Sequence, residues 1–220
     1  MIKKTAEFGY NLIITHEPTF YSHFDSKEPV GNYKVFREKM DLIESHGIAI
    51  WRDHDHLHAH KPDGIFYGVM KELGWAPYLV GDGDRPRSFK FPRTTVRKLA
   101  LEIKEKMGLN MVRMIGNPDD EVETLAFGGH VFPGENENRQ FDIFEKEDID
   151  VMIPGELIDW TVASYVRDAY QLGHHKAILA IGHYNGENLG MKYAPVWISE
   201  VIKNAVPVVF VEAGDMYRYV

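Results

Sequence analysis

The chain contains no cysteine, and that one absence removes disulfides, thiolate metal sites and cysteine nucleophiles together. Any metal it binds must be held by imidazole, carboxylate or water. A chain without disulfides suits the reducing cytoplasm, and the protein is read as cytoplasmic. Also missing is any run near the ~18 continuous apolar residues of a membrane span. The opening Met1-Ile2-Lys3-Lys4-Thr5-Ala6-Glu7 lacks the apolar core of a signal peptide. There is no surplus of positive charge either: 25 Lys and Arg against 33 Asp and Glu leave a net charge of -8. That is the wrong sign for a protein whose main partner is nucleic acid. Neither a Gly-x-x-x-x-Gly-Lys loop nor a Gly-x-Gly-x-x-Gly fingerprint occurs, so use of ATP or a dinucleotide has no support.

What remains is an ordinary globular composition, 44% hydrophobic and 26% charged over 220 residues, enough to bury a substantial core. Short apolar runs alternate with amphipathic segments, the pattern of an α/β protein whose parallel sheet is covered by helices. Strands are expected at Tyr10 to Thr15, Gly47 to Arg52, Met111 to Ile115, Val122 to Phe127, Asp150 to Ile153, Ala177 to Ile181 and Pro207 to Val211. Helices are expected from Ile2 to Phe8, Asn32 to His46, Thr94 to Met107, Glu156 to Leu172 and Met191 to Ala205. The stretch Pro118 to Asp148 is rich in Gly, Pro, Asn and Glu and reads as loops with a hairpin. It divides the chain into a first α/β half, 1–117, a connection, 118–148, and a second half, 149–220. The chain opens on a helix that leads into a strand with no strand before it, so an initial strand is expected to be missing.

Three segments rich in His and carboxylate each follow the C-terminal end of an expected strand, where open α/β sheets bind ligands. They are Thr15-His16-Glu17-Pro18, Asp53-His54-Asp55-His56-Leu57-His58-Ala59-His60, and Gly182-His183-Tyr184-Asn185-Gly186-Glu187. Imidazole and carboxylate together suit Zn, Mn, Fe, Co or Ni. A pair of ions ~3.5–4 Å apart can lower the pKa of a shared water, which is why hydrolases use them. A single His at a strand end is more often a hydrogen-bonded structural residue; three such segments together make the case. In extended chain His54, His56, His58 and His60 would share a side, of which one or two can reach a metal. His23, His46, His174 and His175 fall in loop or helix-end settings suited to solvation or capping.

On these residues the chain resembles the Nif-three-like family of dinuclear metal proteins, some of which are labelled GTP cyclohydrolase type two. Its members show a strand ending Thr-His-His-Pro, a later His-x-x-x-Asp-x-His, a Gly-Glu at a strand end and a C-terminal His-x-x-x-Glu. Here these read Thr15-His16-Glu17-Pro18, His54 to His60 with His58 in the Asp position, Gly155-Glu156, and His183 with Glu187. The likeness covers nearly the whole chain, including Pro62-Asp63-Gly64 opening a helix to Leu73-Gly74. It implies that two divalent metal ions are held by His16, Glu17, His58, His183 and Glu187. It also implies two similar, closely packed α/β halves with the metal cleft at the C-terminal ends of strands, assembly into a hexamer, and some forty residues missing at the start. Glu17 and His58 exchange the family's His and Asp, so imidazole number and carboxylate charge are both kept.

The activity expected is that of a metal-dependent hydrolase of a small phosphorylated or nucleotide-like metabolite, in which Glu156 shuttles a proton. A second reading of Glu156 is a carboxylate stabilising a helix N-terminus. Arg85, Arg87, Lys90, Arg93 and Arg97, with Phe89 and Phe91 between them, suit a phosphate or else a solvated edge strand protected by charge. His130 is a candidate to reach the cleft from a Gly-rich loop. The alternative to a hydrolase is a non-catalytic metal-binding scaffold or regulatory protein whose site orders an oligomer.

Overall fold

The computed structural model describes residues 1–28, 30–129 and 137–220. In chain order the elements are α1 (Ile2–Glu7), β1 (Leu12–Thr15), α2 (Lys34–Ser45), β2 (Ala49–Arg52), α3 (Asp55–Ala59) and α4 (Gly64–Leu73). They continue with β3 (Ser88–Thr95), α5 (Val96–Lys106), β4 (Arg113–Ile115), β5 (Glu121–Gly129), α6 (Glu137–Glu145), β6 (Val151–Pro154), α7 (Val162–Gln171), β7 (Ala177–Ala180) and α8 (His183–Val201). The α/β class expected from the alternation of apolar runs is the class observed. The chain forms two compact units, one of Met1–His60 with Ile198–Gly214 and the other of Lys61–Trp197 with Asp215–Val220. No helix among the described residues is long and apolar enough to cross a membrane.

In the first unit β1 and β2 run parallel, in register from Leu12 opposite Ala49 to Thr15 opposite Arg52. Ile13, Ile43 and Ile48 form its small core, with Ile2, Ala6, Phe20 and Ile50 packed against it. Phe36 and Ile43 lie two turns apart on α2 and share its buried stripe, while Val35 is exposed. At the end of α2 the His46 imidazole bonds the Leu42 carbonyl at 2.9 Å, a capping role of the kind expected for it.

The second unit is built on a five-stranded sheet in the order β3-β5-β6-β7-β4. β5, β6 and β7 are parallel, with β3 and β4 antiparallel at the two edges. Strand periodicity sorts the core into two layers. Leu125, Phe127, Val151, Ile153, Ala177 and Leu179 face α4 and α5. Their even-numbered neighbours Ala126, Met152, Ile178 and Ala180 face α6 and α7. Both faces of the central strands are thus covered, so β6 and β7 read as unbroken apolar runs. Each fully buried aliphatic or aromatic side chain contributes ~1.5–3 kcal/mol to this packing.

Several expectations shift for local reasons. Within the stretch 118–148 the expected strand Val122 to Phe127 lies inside β5, and α6 follows where loops with a hairpin were expected. The polar residues of β5, Glu121, Glu123 and Thr124, fall in its first half, whereas Leu125 to Gly128 is buried. Pro207 to Val211 forms no ladder and is exposed or half-buried throughout, since an apolar run becomes a strand only where a partner edge meets it. Thr95, one residue beyond the expected Thr94, caps α5 by accepting the Lys98 N–H at 3.3 Å. Helix α8 begins at His183, eight residues before the expected start, and α7 at Val162, six residues after it.

Candidate functional site

In the first unit the parallel register of β1 and β2 releases His16 and Asp53 from the same end of the sheet. The Asp53 N–H still donates to the Thr15 carbonyl at 2.8 Å, which ties the two exits together. His16 is buried, with Nδ1 3.4 Å from the Asp53 carbonyl oxygen. With its proton on Nδ1, the ring leaves Nε2 as the electron-pair donor, the orientation a carbonyl gives a metal-binding imidazole. Arg52 secures the loop after β1 by donating to the His16 carbonyl at 3.3 Å and the His23 carbonyl at 2.6 Å.

The His-rich run is not extended, which corrects the expectation that alternate residues share a face. It turns at once into α3, so His54 and His58, four apart, lie on one side of a helical turn. His56 turns away, its side chain 86% exposed and its Nδ1 3.3 Å from the Asp53 carboxylate. His60 is exposed as well. Ring centroids are 4.5 Å apart for His16 and His54, and 4.9 Å for His16 and His58 and for His54 and His58. One nitrogen from each of the three lies within 4.8 Å of the others, a spacing that could hold a metal ion. Glu17 adds a carboxylate 3.7 Å from His54 Nε2. Burial pushes His54 below the ordinary imidazole value, against a hydrogen bond to Asp55 that raises it. The neutral ring is the form that ligates. His54 is therefore a candidate donor that alternation along an extended chain did not single out, and its i, i+4 spacing to His58 is the signal that finds it.

In the second unit β7 passes into α8 through Gly182, whose φ of +84° only glycine adopts readily. This turn puts His183 at the first helical position and Glu187 one turn on, with His183 Nε2 2.9 Å from Glu187 Oε2. On the ring's other side Nδ1 lies 2.6 Å from Glu156 Oε1. Glu156 sits in the bend after β6, six residues before α7 begins, so it is not a carboxylate at a helix N-terminus. The ring thus lies between two carboxylates, and with its proton on Nδ1 toward Glu156, Nε2 and the buried Glu187 carboxylate would together form a donor pair for a cation.

The basic stretch is largely compensated. Lys90 lies 3.6 Å from Glu123, Arg93 3.1 Å from Glu123 and 3.3 Å from Glu121, and Arg97 3.2 Å from Asp119. These are surface ion pairs, on edge strand β3 for Lys90 and Arg93 and at the start of α5 for Arg97, each contributing little, while Phe89 and Phe91 turn into the core. His175 likewise meets Asp120 at 3.2 Å. His130 lies outside the described residues.

Fold and donors together define an α/β protein carrying a His and Glu group able to hold a metal ion. The family model for Duf34/NIF3 (NGG1p interacting factor 3) matches residues 1–215, and the chain belongs to that family. Protein SA1388 of Staphylococcus aureus is similar in structure at a TM-score of 0.70 and 17% identity, covering 100% of this chain and 83% of that one. A Bacillus cereus protein related to NIF3 is similar at 0.70 and 13% identity, covering 100% and 86%. Reduced HcgD from Methanocaldococcus jannaschii is similar at 0.59 and 18% identity, covering 90% and 74%. No curated protein matches the chain.

Proposed function

We propose that the protein is a cytoplasmic metal-dependent hydrolase of a small phosphorylated or nucleotide-like metabolite, with two divalent ions held by His16, Glu17, His58, His183 and Glu187. His54 joins this set as a further imidazole. The observation that carries the reading is the meeting of His16, His54 and His58 with one nitrogen each within 4.8 Å. Three side chains from two segments of the chain, one of them buried and one pushed toward its neutral form by burial, make a poor packing motif and a good donor set. Imidazole with carboxylate fits Zn, Mn, Fe, Co or Ni.

Bound there, the ions would supply Lewis acidity and lower the pKa of a water. The chain's own part is narrower. Glu156 holds a proton at His183 Nδ1 and sets the direction of Nε2, and its half-exposed carboxylate is the group proposed to pass a proton during turnover. The Asp53 carbonyl plays the matching part for His16. Assembly into a hexamer is proposed with this activity.

Elemental analysis of purified protein tests the metal pair, and a panel of nucleotides and phosphoesters with added Mn or Zn tests the hydrolase. Glu187→Gln is expected to abolish turnover and leave the oligomer intact. A variant that loses assembly as well supports the scaffold reading. No product above metal-free controls for any substrate overturns the hydrolase.

A further inference from the structure

Arg87 differs from the other cations of the basic stretch. Its carbonyl accepts the Phe127 N–H at 2.8 Å, which continues the β3–β5 ladder by one residue. Arg87 therefore shares strand parity with Phe89 and Phe91 and turns inward with them, only 24% of its side chain exposed. Its guanidinium carbon stands 4.2 Å above the centroid of Phe66, a platform that holds a planar cation in one orientation.

Its polar edge is poorly served. Asp63 pairs with it only loosely, Oδ2 lying 3.7 Å from Nη2, beyond hydrogen-bond range, while Oδ1 caps α4 by accepting from the Ile65 and Phe66 N–H groups at 3.0 and 3.1 Å. Arg87 Nε is buried with no hydrogen-bond partner. With Nε closed off, the Nη groups at the partly exposed end of this rigid charged fork are where an acceptor can meet it. Two further observations bear on what that acceptor is. Arg85 and Arg139 add like charge around Arg87, while the charge of Glu187 reaches it from the ligand pair on α8. Gly129, with φ of +67°, backs onto the guanidinium, where an added Cβ would lie in ordinary contact, 3.6 Å from Nη1. The Gly129 carbonyl in turn accepts the N–H of Gly155, the neighbour of Glu156.

We propose that Arg87 anchors a phosphate group of the substrate beside the His183 and Glu187 pair, its fork held flat by Phe66 and its two Nη groups directed to two phosphate oxygens. Bidentate recognition of phosphate is the use to which such a fork is suited. The inference rests on the hydrolase reading and narrows it to substrates bearing a phosphate. Lys90, Arg93 and Arg97 take no part, being matched by their own carboxylates.

The test is binding of inorganic phosphate, by calorimetry, to the full chain with and without added Mn, alongside measurement of bound metal. Arg87→Gln is expected to keep its metal and its melting temperature and to weaken phosphate binding ~10- to 100-fold, the worth of one or two charge-assisted hydrogen bonds. Arg87→Lys, which keeps charge but loses the fork, should fall between, and it replaces Arg87→Gln if that variant does not fold. Lys90→Gln should change nothing. Equal phosphate binding by wild type and Arg87→Gln, with metal present in both, overturns the anchor and leaves the metal reading standing. So does loss of metal or fold in both Arg87 variants, which assigns Arg87 to holding Asp63. Wild type without metal overturns the hydrolase reading alone, provided that phosphate still binds and Arg87→Gln still loses it.

Discussion

Gly190 is where fold and site constrain each other most tightly. A Cβ on Gly190 would lie 2.5 Å from the Ile65 carbonyl oxygen and 2.8 Å from its Cα, and one on Gly68 would lie 2.9 Å from the Gly190 Cα. Helices α4 and α8 thus touch backbone to backbone. In Gly190→Ala the gain in helix propensity is ~1 kcal/mol. Against it stands overpacking, typically ~1–3 kcal/mol, and here the neighbours are backbone atoms with no rotamer to turn away, so the upper end applies. The net is a loss of ~2 kcal/mol, or a fall of about 4–8 °C in melting temperature at ~2–4 °C per kcal/mol for a chain of this size. Gly186 is the control, because a Cβ there meets nothing within 4 Å and Gly186→Ala should gain up to ~1 kcal/mol. Urea midpoints in the presence of a chelator read both without interference from metal. Since α8 also carries His183 and Glu187, a retreat of ~1 Å should cost Gly190→Ala activity well beyond its loss of stability. If Gly190→Ala melts with wild type, or both variants shift alike, the backbone contact does not set the position of α8.

Three further outcomes follow from the donor geometry. His54→Ala should lower bound metal per chain with little loss of fold, measured by elemental analysis and far-ultraviolet circular dichroism; unchanged metal would remove His54 from the donor set. Glu156→Gln should weaken metal affinity ~10- to 100-fold, the usual cost of losing the partner that orients a ligating imidazole, and an affinity equal to wild type would free Glu156 from that role. Metal at about 100 times its Kd should stabilise the protein by ~2.7 kcal/mol, reversed by a chelator, and a melting temperature indifferent to both would count against any site that belongs to the folded state.

Most of the sheet was legible because its strands are short apolar runs with both faces buried, and a run such as Ala177 to Ala180 admits few other readings. β3 was harder to read. Its charged residues carry the pattern of a solvated edge, and only the parity of Phe89 and Phe91 marks a buried side. The start of α8 was missed because Gly182, Gly186 and Gly190 look like breakers. One of them turns the chain, one meets open space and one permits a close approach. The His-rich run was misjudged for a different reason. Density of ligand residues says nothing of their direction, which depends on whether the backbone is extended or helical, and α3 is too short for hydrophobic periodicity to reveal it.

The two candidate groups share a construction that explains why they survive an exchange of residues. In each, a parallel strand ends, the chain turns within two residues, and a helix starts with donors four residues apart: His54, at the N-cap, and His58 after β2, His183 and Glu187 after β7. The strand fixes where the helix begins, and the helical repeat fixes that side chains four apart face the same way. Neither constraint depends on whether a given position holds imidazole or carboxylate. Replacing Asp by His at position 58 therefore alters the charge and softness of the donor set while leaving its direction intact, and Glu17 restores one negative charge in the same unit. What the fold preserves is a spacing. A search for strand-end His with a His, Asp or Glu four residues on would find both groups here, where a search for fixed residue strings finds only the second.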